Sequence, residues 1–188
     1  MKQIYNIYMS GVGGQGIGLL SELLARAAGH AGLEVHGCDT HGLAQRGGMV
    51  SSHLRLGAAA SPLIRPASAD LVLSLERSEA LRAAQTMLKA GGTLVWYDTA
   101  WQALDVRSGT NPAVTPEAVH EAAAARQAAA FAVYRPELPD VRMQNMVLVA
   151  ELLTRQLLPG IGLSHVTAAM QDLMGPAMYE KNRALLPA

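Results

Sequence analysis

The stretch GVGGQGIG, Gly11 to Gly18, lies between the apolar IYNIYMS and the helical pattern LLSELLARAA. Four glycines fall within the six residues from Gly11 to Gly16, so the backbone is bare at the point where a strand gives way to a helix. Glycine permits positive φ and close approach, and the free N–H groups of a helix start favour an anion. Gly11, Gly13 and Gly16 fit the G-x-G-x-x-G spacing in the strand–turn–helix context that motif needs. Two readings follow, a tight turn with no ligand and a cradle for a phosphate-bearing one. Under the second, Gly13 is expected at positive φ, and Asp39, at the end of the next strand, stands about where a ribose-binding acid would.

The pattern around this loop predicts one α/β domain over residues 1–188. Ile4 to Ser10 reads as a buried strand and Ile17 to Ala28 as a helix with its leucines on one stripe. LEVHGCD reads as a second strand ending at Asp39. Val50 to Leu56 alternates as a half-buried strand does, and DLVLSLE (Asp70 to Glu76) is nearly continuous in apolar residues, as in a parallel sheet. A helix is expected to run from there to about Lys89, closed by Gly91-Gly92. TLVWYDT and FAVY are further strands, Thr115-Pro116-Glu117 starts a helix, and the chain from Arg142 onward is helical in pieces divided at Pro159-Gly160 and Gly175-Pro176. Alternating strands and helices imply a three-layer α/β/α, Rossmann-like domain with a mostly parallel twisted sheet and a helical C-terminal part.

Composition removes several classes of function. Lysine plus arginine equal aspartate plus glutamate at 15 each, without basic runs, so no footprint for nucleic acid is expected. No apolar run reaches the ~20 residues that span a bilayer, and the start MKQIYNIYMS lacks the pattern of a signal peptide. Cys38 is the one cysteine, so these residues offer no internal disulfide and cannot ligate an iron–sulfur cluster or a structural zinc. A cytoplasmic location is the expectation. Cys38 itself reads as a small buried side chain at a strand end. His41 and His53 have no ligand-spaced carboxylate or cysteine around them and read as structural. Asn145, inside an apolar helix pattern, and Asp98, at a strand end, are minor site candidates. Met143, Met146, Met170 and Met174 read as core or interface fillers.

A second glycine-bearing stretch, THGLAQRGG, follows the second strand and is expected as a loop on the same sheet edge as the first. Its Arg-Gly-Gly segment sets a guanidinium beside bare N–H groups, a combination suited to phosphate or carboxylate. A surface arginine on a plain turn is the alternative. The candidate binding residues are therefore Gly11, Gly13, Gly14, Gln15 and Gly16 in the first loop, and Thr40, His41, Gln45, Arg46, Gly47 and Gly48 in the second.

Taken jointly, GVGGQGIG and THGLAQRGGMVSSHLR resemble the gamma subunit or domain of the 2-oxoacid:ferredoxin oxidoreductases, with the wording THGLAQRGG leaning to the indolepyruvate branch. The likeness extends to the Asp70 to Glu76 strand, the Gly91-Gly92 turn, RMQNMVLVAELL (Arg142 to Leu153) and Glu180-Lys181-Asn182. It implies a small subunit with no catalytic residue of its own, beside a large subunit that carries thiamine diphosphate, magnesium and iron–sulfur clusters. The complex would convert a 2-oxoacid and coenzyme A to acyl-CoA, carbon dioxide and reduced ferredoxin. The glycine loops would then lie near the coenzyme A path or at the interface, and the isolated chain, with apolar surface uncovered, could pair with itself. The chain agrees in lacking both Cys-x-x-Cys and the Gly-Asp-Gly segment that holds the diphosphate in thiamine enzymes. Two other readings stand beside this one: a free-standing dinucleotide-binding oxidoreductase using Gly11, Gly13, Gly16 and Asp39, and a module whose loops make only protein contacts.

Overall fold

The computed structural model describes residues 4–41, 48–100 and 112–187. Strand β1 (Tyr5–Val12) leads through the glycine loop into helix α1 (Ile17–His30), and β2 (Val35–His41) and β3 (Met49–Leu56) follow. Then come β4 (Ala69–Ser74), α2 (Arg77–Thr86), β5 (Leu88–Tyr97), α3 (Pro116–Ala124) and β6 (Ala129–Val133). A 3-10 turn (Val141–Met143) opens the C-terminal helices α4 (Gln144–Thr154), α5 (Leu163–Leu173) and α6 (Pro176–Arg183).

The sheet has six strands in the order β2-β3-β1-β4-β5-β6. β1 pairs in parallel with β4, β4 with β5 and β5 with β6, whereas β3 lies antiparallel to both β1 and β2. Five strands thus share a direction, and β3 alone runs against them. β1 and β3 pair along their whole length, from Tyr5 opposite Leu56 to Val12 opposite Met49. The pleat sends alternate side chains to opposite layers. Ile7, Met9, Leu71 and Leu73 meet α1, α4 and α5 on one face, while Val72, Leu94 and Trp96 meet α2 and α3 on the other.

Helix propensity and capping account for the helices. The stripe Leu20, Leu23, Leu24, Ala27 and Ala28 is wholly buried in the first layer. The Thr115 hydroxyl accepts the Ala118 N–H at 3.2 Å, with Pro116 at the first helical position, as the sequence implies. Glu76 caps α2 by accepting the N–H groups of Ser78 and Glu79. Met143, Met146, Met170 and Met174 are all buried in the core.

The chain departs from the sequence reading in five places. α2 ends at Thr86 rather than near Lys89, and Gly91-Gly92 lies inside β5, where the register against β4 jumps between Ala69 and Leu71. Gly91 takes φ +70° and donates its N–H to the Arg126 carbonyl, and a Cβ on Gly92 would stand 3.2 Å from the Ala69 carbonyl oxygen. The pair thus forms a bulge instead of a helix stop. β2 runs two residues past Asp39, which places Thr40 and His41 in the strand. Cys38 is half-buried on that edge strand instead of enclosed. β3 is buried on both faces rather than one. His53 is covered because the segment after β3 folds back over it: the Ile64 N–H donates to His53 Nδ1 at 3.1 Å, and the ring meets Tyr8 edge-on at 5.1 Å.

Burial pulls the His53 imidazole below its usual titration range. The ring is neutral and an acceptor in the fold, whereas in the unfolded chain it takes a proton near pH ~6.5. Its contribution to stability is therefore complete above about pH 6.5 and is lost as the pH falls toward the lowered value. Urea midpoints taken across that interval should fall for the wild-type chain, and His53→Asn, which keeps an acceptor near the Nδ1 position, should remove this part of the fall. An unchanged pH profile in the variant counts against the assignment.

Candidate functional site

The antiparallel β3 determines where the two glycine stretches meet. β1 and β2 end on one edge of the sheet, and β3 begins there, with Val12 opposite Met49 and His41 opposite Val50. Among the described residues the Gly13 N–H joins the two stretches, donating to the Gly48 carbonyl at 2.9 Å. Gln45, Arg46, Gly47 and the side chain of His41 lie outside the described residues. Thr40, the next candidate along β2, already uses its hydroxyl within the ladder, 2.5 Å from Ser51 Oγ and 3.1 Å from the Ser51 carbonyl.

The first loop is shaped from inside by Gln15. Its side chain is buried, and Oε1 accepts the Val12 N–H at 2.8 Å while its own N–H donates to the Val12 carbonyl. Gly11 must lack a side chain for this, since a Cβ there would lie 2.9 Å from Gln15 Oε1. Gln15 is a structural brace of the loop. The left-handed positions are Gly14 (φ +103°) and Gly16 (φ +89°), not Gly13 as the spacing suggests. Gly16 is the N-cap of α1, which no side chain caps and whose first turn has no acid. Its N–H groups open into a depression of about 480 Å³ bounded by Gly13, Gly14, Gly16, Ile17, Gly18 and Val50. Bare donors, a dipole end and no acidic side chain among the described residues that bound it form a surface suited to a phosphate or carboxylate.

The remaining candidates take structural places. Asp98 holds Arg77 Nε at 2.8 Å, tying the end of β5 to the start of α2. Asp39 is on the edge strand β2, paired with Ser52 of β3. In a dinucleotide fold the ribose acid stands on the strand next to the glycine loop. Here β3 intervenes, so Asp39 lies two strand spacings from β1, about 10 Å instead of about 5 Å. Asn145, a minor candidate from sequence, proves central: it is 2% exposed, and its Nδ2 stands 3.0 Å from where a Cβ on Gly16 would be. Among the described residues no three His, Cys, Asp or Glu side chains gather to hold a metal.

Comparison with known proteins places this geometry. Residues 6–188 match the family described as pyruvate ferredoxin/flavodoxin oxidoreductase. The chain is 35% identical, over 94% of its length and 89% of the relative's, to indolepyruvate oxidoreductase subunit IorB of Archaeoglobus fulgidus. The fold matches the keto/oxoacid ferredoxin oxidoreductase gamma subunit of Geobacter sulfurreducens PCA with TM-score 0.66 at 20% identity, covering 96% of this chain and 93% of that one. It also matches 2-oxoglutarate:ferredoxin oxidoreductase of Magnetococcus marinus, solved with 2-oxoglutarate, coenzyme A and succinyl-CoA bound, with TM-score 0.66 at 21% identity. That likeness covers 98% of this chain and 30% of the other.

The contact between Gly16 and Asn145 yields a pair of predictions. Gly14→Ala meets open space and should cost only the left-handed strain, about 1–2 kcal/mol. Gly16→Ala carries the same strain and also forces Asn145 aside, so it should cost more. Shortening Asn145 to Ala should return part of that excess, a coupling of roughly 0.5–3 kcal/mol in a double-mutant cycle of denaturant midpoints. Strict additivity would show that the contact carries no energy.

Proposed function

The chain belongs to the pyruvate ferredoxin/flavodoxin oxidoreductase family, and from that membership we propose that it is the small, non-catalytic subunit of an indolepyruvate or aryl-pyruvate:ferredoxin oxidoreductase. The observation that carries this reading is the 35% identity to an indolepyruvate oxidoreductase subunit along nearly the full length of both chains. The partner is a large subunit holding thiamine diphosphate with its magnesium and the iron–sulfur clusters, and through it the complex reduces ferredoxin. Those groups supply the carbon–carbon cleavage and carry the electrons. With Cys38 as their one thiol, these 188 residues have no set of ligands for a cluster.

Coenzyme A is the ligand we assign to the glycine loops. The open first turn of α1 and the left-handed glycines at 14 and 16 fit a phosphate of that cofactor, because backbone N–H groups can approach it closely without a Cβ in the way. The chain's own part is to bind and orient that end of the molecule while chemistry proceeds on the large subunit. The dinucleotide alternative lacks its ribose-binding acid at the required strand, since β3 separates Asp39 from the loop.

The reading is tested by expressing the chain with its large subunit and assaying ferredoxin reduction. Indolepyruvate and phenylpyruvate, with coenzyme A, should be turned over by the pair and by neither chain alone. Turnover by this chain alone, or tight binding of a nicotinamide or flavin nucleotide to it, would overturn the proposal. Within the complex, Arg46→Ala should raise KM for coenzyme A about tenfold through the lost charge-assisted hydrogen bonds, with KM for the 2-oxoacid nearly unchanged. If both constants hold while the subunits separate more readily, the loops are interface and not ligand site.

A further inference from the structure

Five large apolar side chains stand exposed among the described residues: Met49, Leu63, Tyr134, Val141 and Met178. Four of them lie at the sheet edge that carries the glycine loop. Met49 opens β3 opposite Val12. Tyr134 follows β6, and its ring lies 5.8 Å from that of Tyr97, the last residue of β5. β1, β4, β5 and β6 run parallel, so these strand ends share the edge from which β1 enters the loop. Val141 begins the 3-10 turn that leads into α4, where Asn145 abuts Gly16. Met178 lines a hollow with Leu19, in the first turn of α1, and with Met143 of the 3-10 turn. Leu63 is the exception. It borders a hollow with Ile4 and Ser68, which precede β1 and β4 and so belong to the opposite edge.

Single apolar side chains scattered over a surface need no explanation, but four gathered at one edge do. Tyr134 and Val141 are 65% and 74% exposed, far from any share in the core. Tyrosine and methionine are also the residue types enriched where protein surfaces meet. Charges beside them are paired in place: Asp140 holds Arg142 Nη2 at 2.6 Å, and Asp98 holds Arg77 Nε at 2.8 Å. A partner covering this edge therefore does not strip water from those four groups as lone ions. From Met49 on β3 to Tyr134 beyond β6 is four strand spacings, roughly 19 Å, which fits within a standard interface of about 800 Å² a side.

We propose that this edge, with Met49, Tyr134, Val141 and Met178 as its apolar anchors, is the surface by which the chain docks on its large subunit. The inference rests on the reading of the complex given above and adds the face that is used. Chemistry selects the same occupant. The 188 residues hold one thiol and no group assigned a catalytic role, so a ligand gripped at the glycine depression must present its reacting end to the large subunit. That subunit has to abut the edge where the ligand is held. The depression lies between the anchors, and docking gives it a wall that the isolated chain lacks. The opposite edge, with Leu63, stays outside the contact.

The test measures the dissociation constant between the full-length chain and its large subunit. Tyr134→Asp and Val141→Asp should each weaken the complex about tenfold or more, at an unchanged thermal midpoint of the isolated chain. Leu63→Asp, an equally exposed change at the far edge, should leave the constant within about twofold. Hydrogen exchange of the wild-type complex reads the same face without any substitution. Amides of Gly14 to Gly18, Tyr134 and Val141 should slow on binding, and those of Ala58 to Ser68 should not. A complex that forms but is weakened only by Leu63→Asp, or protects only the Leu63 edge, overturns this inference and leaves the proposed function standing. Anchor variants that abolish self-association of the isolated chain, with the large subunit bound as before, assign the edge to a second copy and overturn it too. If the wild-type chain does not bind the large subunit at all, both readings fall.

Discussion

The candidate site depends on one topological constraint, the insertion of β3 antiparallel between β2 and β1. A strand that runs backwards begins where its neighbours end, so its first residues reach the edge at which β1 releases the glycine loop. The bond from Gly13 to Gly48 is the local consequence, and it ties the glycine loop to the start of β3. The same insertion moves β2 outward, separating Asp39 from the loop by a strand. One pairing choice thus sets Gly13 beside Gly48 and dismantles the arrangement that a dinucleotide needs.

Much of this was legible in the sequence where local chemistry decides structure. The α1 stripe, the Thr115-Pro116 cap and the breaks at Pro159-Gly160 and Gly175-Pro176 are short-range signals, and the elements follow them. What was not legible depends on contacts between distant residues. Alternation in Val50 to Leu56 says that one face is apolar, but the burial of His53 comes from Ile64, in a segment that folds back over the strand. The Gly91-Gly92 pair carries a stop signal that fits a helix end and a bulge equally well. Only the 3.2 Å approach to the Ala69 carbonyl decides between them.

The site shows the same division. Glycine spacing misassigned the left-handed position, because the motif does not encode which peptide turns over. Gln15 looked like a ligand contact and is a brace, since its amide reaches the Val12 N–H three residues back. Asn145 looked incidental within an apolar helix, although Gly16 leaves room for it 129 residues earlier in the chain. No short-range pattern can announce such a contact.

The central place of β1 also bears on how the chain acquires its structure. β1 is made before the strands that flank it, and its parallel partner β4 begins at Ala69, with Ser10 and Ser74 opposite each other at a sequence separation of 64. A hairpin of β2 and β3 can close early across a short connection, but it has no inner neighbour until β1 docks along it. Contacts of such long sequence separation slow the search, because loop-closure entropy is spent before the pairing returns it. Until synthesis passes Ser74, Ile7 and Met9 lack the parallel neighbour that completes their side of the sheet, and a nascent chain in that interval is exposed to holdase chaperones and to aggregation.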